Sequence, residues 1–184
     1  MEIKFSPELQ TILCYARDEA MRTGSYGLGA DHIVLGLLRH RDNDACRALA
    51  ACGLDLEALK EAIDTRVFSE QAVPWQDQAR IRPTRGAAAL LGGAAYEALK
   101  QGLHDIFSTH LLLSLVRHGE SAAAQLLRER QLDYPQLLAV MRERHFALPT
   151  ADAHLPRIED LMGPLGEQLT HLWGESGAPT QLYS

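Results

Sequence analysis

Two histidines at equivalent places are the first candidates for chemistry in this chain. His32 and His110 lie 78 residues apart (110 minus 32), and each stands at the start of a strongly apolar segment. Imidazole is a common metal ligand, but a zinc site needs three or four ligands, and neither histidine has a cysteine or a carboxylate cluster near it in sequence. We therefore expect no metal site and no cofactor, and we expect both histidines to form structural hydrogen bonds.

Asp31, directly before the first histidine, is the second candidate. Its carboxylate could bind a cationic group such as a guanidinium. It could equally cap its own helix, because Asp is a favoured N-cap and its charge suits the helix dipole, and this is the preferred interpretation. The residue 78 positions later is Thr109, which carries no charge. Two equivalent cation sites are therefore not expected.

The sequence contains no recognisable catalytic or nucleotide-binding motif. The patterns Gly-x-Ser-x-Gly and His-Glu-x-x-His are missing. A P-loop needs Gly-Lys followed by Ser or Thr, whereas Lys4, Lys60 and Lys100 follow isoleucine or leucine. We expect a protein that is not an enzyme. A small hydrolase is the alternative, and it would need a pocket in which a histidine and a carboxylate converge.

The candidate residues belong to a pattern that occurs twice. At the constant offset of 78 residues, Glu19-Ala20 falls on Glu97-Ala98, and Arg39-His40 falls on Arg117-His118. We assign these arginines and histidines to helix ends, where positive charge favours the dipole. Self-similarity of this kind indicates one duplicated helical unit whose copies cover each other's apolar faces.

Capping residues and helical periodicity predict an all-α protein with four helices in each copy. The predicted N-caps are Ser6, Asn43 or Asp44, Asp55, Thr84, Ser108 and Asp133. Repeat one spans residues 3–64 and repeat two spans 84–146, joined by a loop at 65–83 that Phe68 and Trp75 are expected to hold in place. Residues 147–184 form an amphipathic extension, predicted as two short helices or one kinked helix because Gly163-Pro164 interrupts the pattern.

The composition is that of a folded protein without the features of a nucleic-acid or membrane binder. Of the 184 residues, 46% are hydrophobic and 23% are charged, and the net charge is −6. This balance argues against binding to phosphate backbones, which needs clustered Lys and Arg. The first residues lack the apolar core of a secretory signal, and no apolar run is long enough to span a bilayer. We expect a cytoplasmic protein.

Several motifs of the first copy identify a known family. The sequence around Phe5-Ser6-Pro7, the run from Gly29 to Leu38, and Gly53-Leu54-Asp55 resemble the Clp amino-terminal (Clp repeat) domain at the front of ClpC- and ClpA-type AAA+ unfoldases. The resemblance covers about residues 3 to 145. It implies a pseudo-twofold, eight-helix domain. ATPase modules follow this domain in that family, but the missing P-loop pattern predicts none here, so the chain looks like a stand-alone domain or a part of a larger protein.

The resemblance also implies a function and a site. In ClpC-type members, a Glu in each repeat binds the guanidinium of phosphoarginine, and the start of the first helix of the repeat binds the phosphate. The matching positions for the guanidinium are Asp31 and Thr109. For the phosphate they are the segment Lys4, Phe5 and Ser6 in copy one and the pair Pro83 and Thr84 in copy two.

The implied partners are protein or peptide substrates, adaptor proteins or a Clp-type unfoldase. The expected role is a non-enzymatic module that recognises them in regulated proteolysis. The alternative is a helical scaffold protein that has the same fold and binds an unrelated partner.

Overall fold

The computed structural model describes residues 3–143 and 155–182, and the side chains of residue 118 and residues 175–182 are not among the described features. The helices are α1 (Pro7–Arg22), α2 (Ala30–Arg39), α3 (Asp44–Ala51), α4 (Leu56–Val67), α5 (Arg85–Lys100), α6 (Ser108–His118), α7 (Ala122–Glu129), α8 (Tyr134–Glu143) and α9 (Ile158–Leu182), and a 3-10 helix covers Trp75–Arg80. The described residues also form four strands of two residues each: β1 (Lys4–Phe5), β2 (Gly27–Leu28), β3 (Arg82–Pro83) and β4 (Asp105–Ile106).

The predicted duplication is confirmed, because α1 to α4 and α5 to α8 follow the same order at the same offset. The hydroxyls of Ser6 and Thr84 cap α1 and α5 by accepting from the backbone three residues later. Asn43 caps α3 and Asp55 caps α4, as predicted. These caps depend on side chains close in sequence to the amides they satisfy.

Two predicted caps are wrong, and both lie in the first turn of their helices. Gly29 is the N-cap of α2, so that Asp31 does not cap its own helix. Phe107 is the N-cap of α6, and Ser108 is already the first helical residue. In both helices the capping acceptor is a histidine three residues after the N-cap.

The strands pair between the repeats rather than within them. β1 of repeat one runs parallel to β4 of repeat two, and β2 runs parallel to β3. Thr84 donates its backbone N–H to Leu28 O at 2.9 Å, and Ser6 donates to Ile106 O at 3.0 Å. The start of α5 therefore lies beside the start of α2, and the start of α1 lies beside the start of α6.

Glycines permit the closest approaches between helices. A Cβ at Gly36 in α2 would lie 2.6 Å from Ile12 O of α1, and one at Gly93 in α5 would collide with the Ser114 hydroxyl of α6. A Cβ at Gly92 would lie 3.0 Å from Ile158 O at the start of α9. Close packing of α5 against α6 and α9 therefore accounts for the two adjacent glycines of α5.

The linker between the repeats is held in place by other residues than the two predicted ones. Phe68 and Trp75 are 54% and 40% exposed, so neither anchors the segment. The buried residues there are Val73, Gln78 and Ile81. Val73 also donates its backbone N–H to Met21 O at 2.9 Å, which ties the linker to the end of α1.

Within the described residues, the carboxy-terminal extension is a single helix, so the predicted alternative of two short helices is wrong. α9 passes through Gly163-Pro164 and extends to Leu182. Leu165, Leu169 and Trp173 are buried against the double repeat. The predicted boundary between residues 146 and 147 lies outside the described residues.

Candidate functional site

The two symmetric histidines have structural hydrogen bonds, as the sequence predicts. His32 Nδ1 accepts from Gly29 N at 2.9 Å, and His110 Nδ1 accepts from Phe107 N at the same distance. Each Nε2 contacts a side chain at the end of the preceding helix: Thr23 Oγ1 lies 3.1 Å from the first ring, and Gln101 Oε1 lies 2.9 Å from the second. The neutral ring thus caps one helix and joins it to another.

Protonation of His110 should weaken the fold. Burial lowers its pKa to about 4, whereas in the unfolded chain it takes up a proton near pH 6.5. Between these values the unfolded state binds more protons, so this contribution to stability falls as the pH drops. We expect His110 to reduce the free energy of unfolding by about 2 kcal/mol between pH 7.5 and pH 5.

Urea unfolding at several pH values measures this effect, and the His110→Gln variant is its control. The slope of stability against pH between 5 and 6.5 should be smaller in the variant. An unchanged slope, or an NMR titration that gives His110 an ordinary pKa, would contradict the assignment.

Asp31 caps a helix of the other repeat. Its Oδ1 accepts from Ala123 N of α7 at 2.8 Å, across 92 residues of sequence. The mirrored contact comes from Ser108, whose Oγ accepts from Ala45 N of α3 at 3.1 Å. A carboxylate offers about four acceptor positions, so this bond leaves Asp31 capacity for a ligand.

Glu8 of copy one has no counterpart with a side chain in copy two. Its carboxylate accepts from Ser108 N at 2.8 Å and from Asp44 N at 3.2 Å, and so it joins the starts of α6 and α3. The residue 78 positions later is Gly86, which has no side chain. The corresponding space in copy two is a cavity of about 410 Å³.

This cavity, which we call the α2/α5/α7 pocket, lies where three helices begin. Ala30, Gly86 and Ser121 line it from the first turn or cap of α2, α5 and α7, and Glu120 adds a carboxylate. Helix N-termini favour anions, while Glu120 and the adjacent Asp31 favour cations. The pocket therefore suits a group that carries both charges.

The start of α2 in repeat one lies beside the start of α5 in repeat two. A Cβ at Gly29, the N-cap of α2, would be 3.8 Å from the Thr84 hydroxyl. Pro83 and Thr84 are half-buried. The pairing of β2 with β3 holds these two residues next to the start of α2.

The copy-one group is less accessible. Phe5, Ser6 and Thr109 are buried, and the Ser6 hydroxyl already accepts from Leu9 N at 3.2 Å. Lys4 is exposed, and its Nζ lies 3.9 Å from Asp105 Oδ1. Of the predicted residues, Lys4 is exposed, and Asp31, Pro83 and Thr84 are half-buried, so these four remain accessible.

Two buried carboxylates are not among the residues that the sequence predicts for a site. Glu19 and Glu97 are 2% and 1% exposed. Arg39 and Arg117 lie at the ends of α2 and α6, as predicted, and they also pair with these glutamates at 3.7 and 3.2 Å. The signal was present, because both glutamates and both arginines recur at the same offset.

Metal binding and membrane insertion are two further possibilities on which the described residues bear. Within residues 3–143 and 155–182, no group of three or more His, Cys, Asp or Glu side chains could hold a metal ion. Among the helices of this part of the chain, none combines the length and the hydropathy needed to cross a bilayer.

Comparison with known proteins identifies the double repeat. The family described as the Clp repeat (R) N-terminal domain matches residues 4–146. Similar curated proteins include the negative regulator of genetic competence ClpC/MecB of Bacillus subtilis and the chaperone protein ClpB of Oceanobacillus iheyensis, each 32% identical over 124 residues. These matches cover 67% of this chain but 15% of each relative.

Solved structures support the same fold. The Hsp104 N-terminal domain from Candida albicans has a TM-score of 0.63 at 13% identity, and the match covers 79% of this chain and 94% of that one. The N-terminal domain of the chaperone ClpD from Arabidopsis thaliana has a TM-score of 0.58 at 15% identity, covering 76% and 96%. At these identities the likeness concerns the fold alone.

Proposed function

The chain belongs to the Clp repeat N-terminal domain family, and from this premise we propose that it is a binding module for protein or peptide substrates, or adaptors, of a Clp-type unfoldase. The observation that carries the proposal is the α2/α5/α7 pocket in a domain of this family. The pocket combines helix N-termini with the carboxylate of Glu120, and Asp31 directly follows Ala30, which lines the pocket.

The ligand that we propose for the pocket is a phosphorylated arginine side chain of a protein. Its guanidinium would pair with Asp31, and its phosphate would lie at the starts of the helices, which attract anions. Thr109 occupies the place of Asp31 in copy two and has no charge. We therefore propose one such site for each chain rather than two.

The binding test compares a peptide that contains one phosphoarginine with the same peptide carrying plain arginine. Calorimetry on the full chain should give one site that prefers the phosphorylated peptide, and Asp31→Asn should weaken binding about tenfold through the loss of a charged pair. Thr109→Ala is the matched control and should bind as the wild type does. Equal binding of both peptides, or of wild type and Asp31→Asn, would reject this ligand.

Filling the pocket provides a second test. In Gly86→Glu, the new carboxylate should take the place that Glu8 has in copy one, and the helix gains a better helix-forming residue with a favourable charge at its start. We expect the free energy of unfolding to rise by about 1 kcal/mol and phosphoarginine binding to be lost.

Chemical denaturation and the same calorimetry measure the two effects. Glu8→Gly is the reciprocal control, because it should lower stability by removing the bonds to Ser108 N and Asp44 N. A Gly86→Glu variant that still binds the phosphorylated peptide with full affinity would exclude the pocket as its site.

A further inference from the structure

The helix α9 occupies a groove between α1 and α5, away from the α2/α5/α7 pocket. Its contacts with backbone carbonyls are specific: Trp173 Nε1 donates to Leu13 O at 3.2 Å, and Gln168 Nε2 donates to Ile3 O at 2.9 Å. The family match ends at residue 146, before α9 begins. The groove therefore belongs to the double repeat, and α9 is an added occupant.

Arg17 in the groove is buried without a full set of partners. Arg17 is 3% exposed, and its Nη1 donates to the backbone oxygen of Trp173 at 3.2 Å. Within the described structure, Nε and Nη2 have no hydrogen-bond acceptor. Burial lowers the pKa of Arg17, and the neighbouring charge of Asp18 offsets this only in part. Such donors normally find an acceptor, because leaving them unpaired is costly.

The face of α9 that is turned toward the start of α5 does not pack closely against it. An open fissure of about 980 Å³ separates the two, lined on one side by Arg82 and Arg85 and on the other by α9 residues that include Gly163, Gly166 and Gly174. Among the described residues, nothing lies within 4 Å of a Cβ built at any of these three glycines. Larger side chains on a helix in this place would fill the fissure.

The sequence of α9 also makes it a weak helix. Glycine inside a helix costs about 1 kcal/mol relative to alanine, and proline costs about 3 kcal/mol. With Gly163, Pro164, Gly166 and Gly174 in its length, α9 depends on the groove for its stability. A helix without these residues could compete with it.

We infer that the groove between α1 and α5 is a docking site for an acidic amphipathic helix of a partner protein, and that α9 is an exchangeable internal occupant of it. The partner's apolar stripe takes the places of Leu165, Leu169 and Trp173. One of its carboxylates pairs with Arg17, and others face Arg82 and Arg85. This inference goes beyond the proposed phosphoarginine site, because it concerns a different surface and a different ligand.

The probes are two labelled peptides derived from α9. The repaired peptide consists of residues 158–182 with Gly163, Pro164, Gly166 and Gly174 replaced by alanine. The repaired-Glu peptide carries in addition Gly177→Glu, one helical turn after Trp173, so that a carboxylate shares the tryptophan's face.

Binding is measured by fluorescence anisotropy on the full chain. Trp173→Ala weakens the chain's own α9, so this variant should bind the repaired peptide at least about tenfold more tightly than the wild type does. On the Trp173→Ala background, the repaired-Glu peptide should bind about fivefold more tightly than the repaired peptide. That preference should vanish when Arg17→Met is added.

Either of two results would overturn the inference. One is equal binding of the two peptides to Trp173→Ala with Arg17 intact. The other is no binding of either peptide to Trp173→Ala that circular dichroism shows to be folded. If this variant does not fold, hydrogen exchange on the wild type decides: the repaired-Glu peptide should speed exchange in α9 while protecting α1 and α5. Exchange of α9 that is unaffected by the peptide would contradict an exchangeable helix.

The Gly86→Glu variant separates this inference from the proposed function. It fills the α2/α5/α7 pocket and leaves the groove unchanged, so it should bind the repaired-Glu peptide as the wild type does. Loss of helix binding in Gly86→Glu would count against two independent surfaces.

Discussion

Replacing Gly36 with valine is expected to reduce the free energy of unfolding by about 4 kcal/mol. A Cβ at this position would lie 2.6 Å from Ile12 O and 2.7 Å from Ala16 N, both of which are backbone atoms of α1. Backbone atoms cannot rotate away as a side-chain end can, so α1 and α2 must separate. Their separation would loosen a core in which Ile12 and Ala16 are fully buried.

The matched control for this prediction is a glycine in another helix. Gly166→Ala in α9 meets no neighbour within 4 Å among the described residues, so it should be neutral or stabilise the protein slightly through its better helix propensity. Thermal and urea unfolding of both variants measure the difference. A Gly36→Val protein as stable as Gly166→Ala would show that α1 and α2 are not in close contact.

The sequence predicts well those features that depend on near neighbours. Both partners of a local helix cap lie close together in sequence, so the pattern is visible there. The side chain accepts from an amide two or three residues further along the chain at Ser6, Thr84, Asn43 and Asp55. The duplication was equally visible because its register has no gaps. Together these two signals gave the order and the approximate bounds of the first eight helices.

The features that were missed depend on contacts between distant segments. The bond from Ala123 N to Asp31 spans 92 residues, and the bond from Ser108 N to Glu8 spans 100. A capping side chain looks the same in sequence whether it serves its own helix or another one. For this reason the sequence pattern assigns Asp31 and Ser108 to the wrong helix, and it does not predict that the start of α2 lies beside the start of α5.

The C-terminal helix shows a different limit. Local propensity at Gly163-Pro164 predicts an interruption, but burial of Leu165 and Leu169 against the repeats outweighs it. Propensity is a weak guide where tertiary contacts are strong. The same conflict between local preference and tertiary packing is what makes α9 a candidate for exchange.

Removing the buried carboxylate of Glu97 should have an effect of similar size to that of Gly36→Val, for an electrostatic reason. Glu97 is 1% exposed, and its carboxylate accepts from Arg117 at 3.2 Å, from Tyr134 at 2.9 Å and from Lys100 at 3.1 Å. In Glu97→Ala these three groups lose their common acceptor. Breaking a buried ion pair by deleting one partner costs about 3 to 5 kcal/mol. We expect a loss within that range.

Two further variants show whether charge is the cause. Glu97→Gln keeps the shape and an acceptor oxygen but not the charge, so it should lose less stability than Glu97→Ala. Glu159→Ala removes an exposed partner of Arg157, and it should change stability by less than about 0.5 kcal/mol because surface ion pairs contribute little. Urea denaturation of the three variants ranks them. If Glu97→Ala were as mild as Glu159→Ala, then Lys100, Arg117 and Tyr134 would not depend on Glu97, and the recurrence of the Glu and Arg pair in both repeats would need an explanation other than stability.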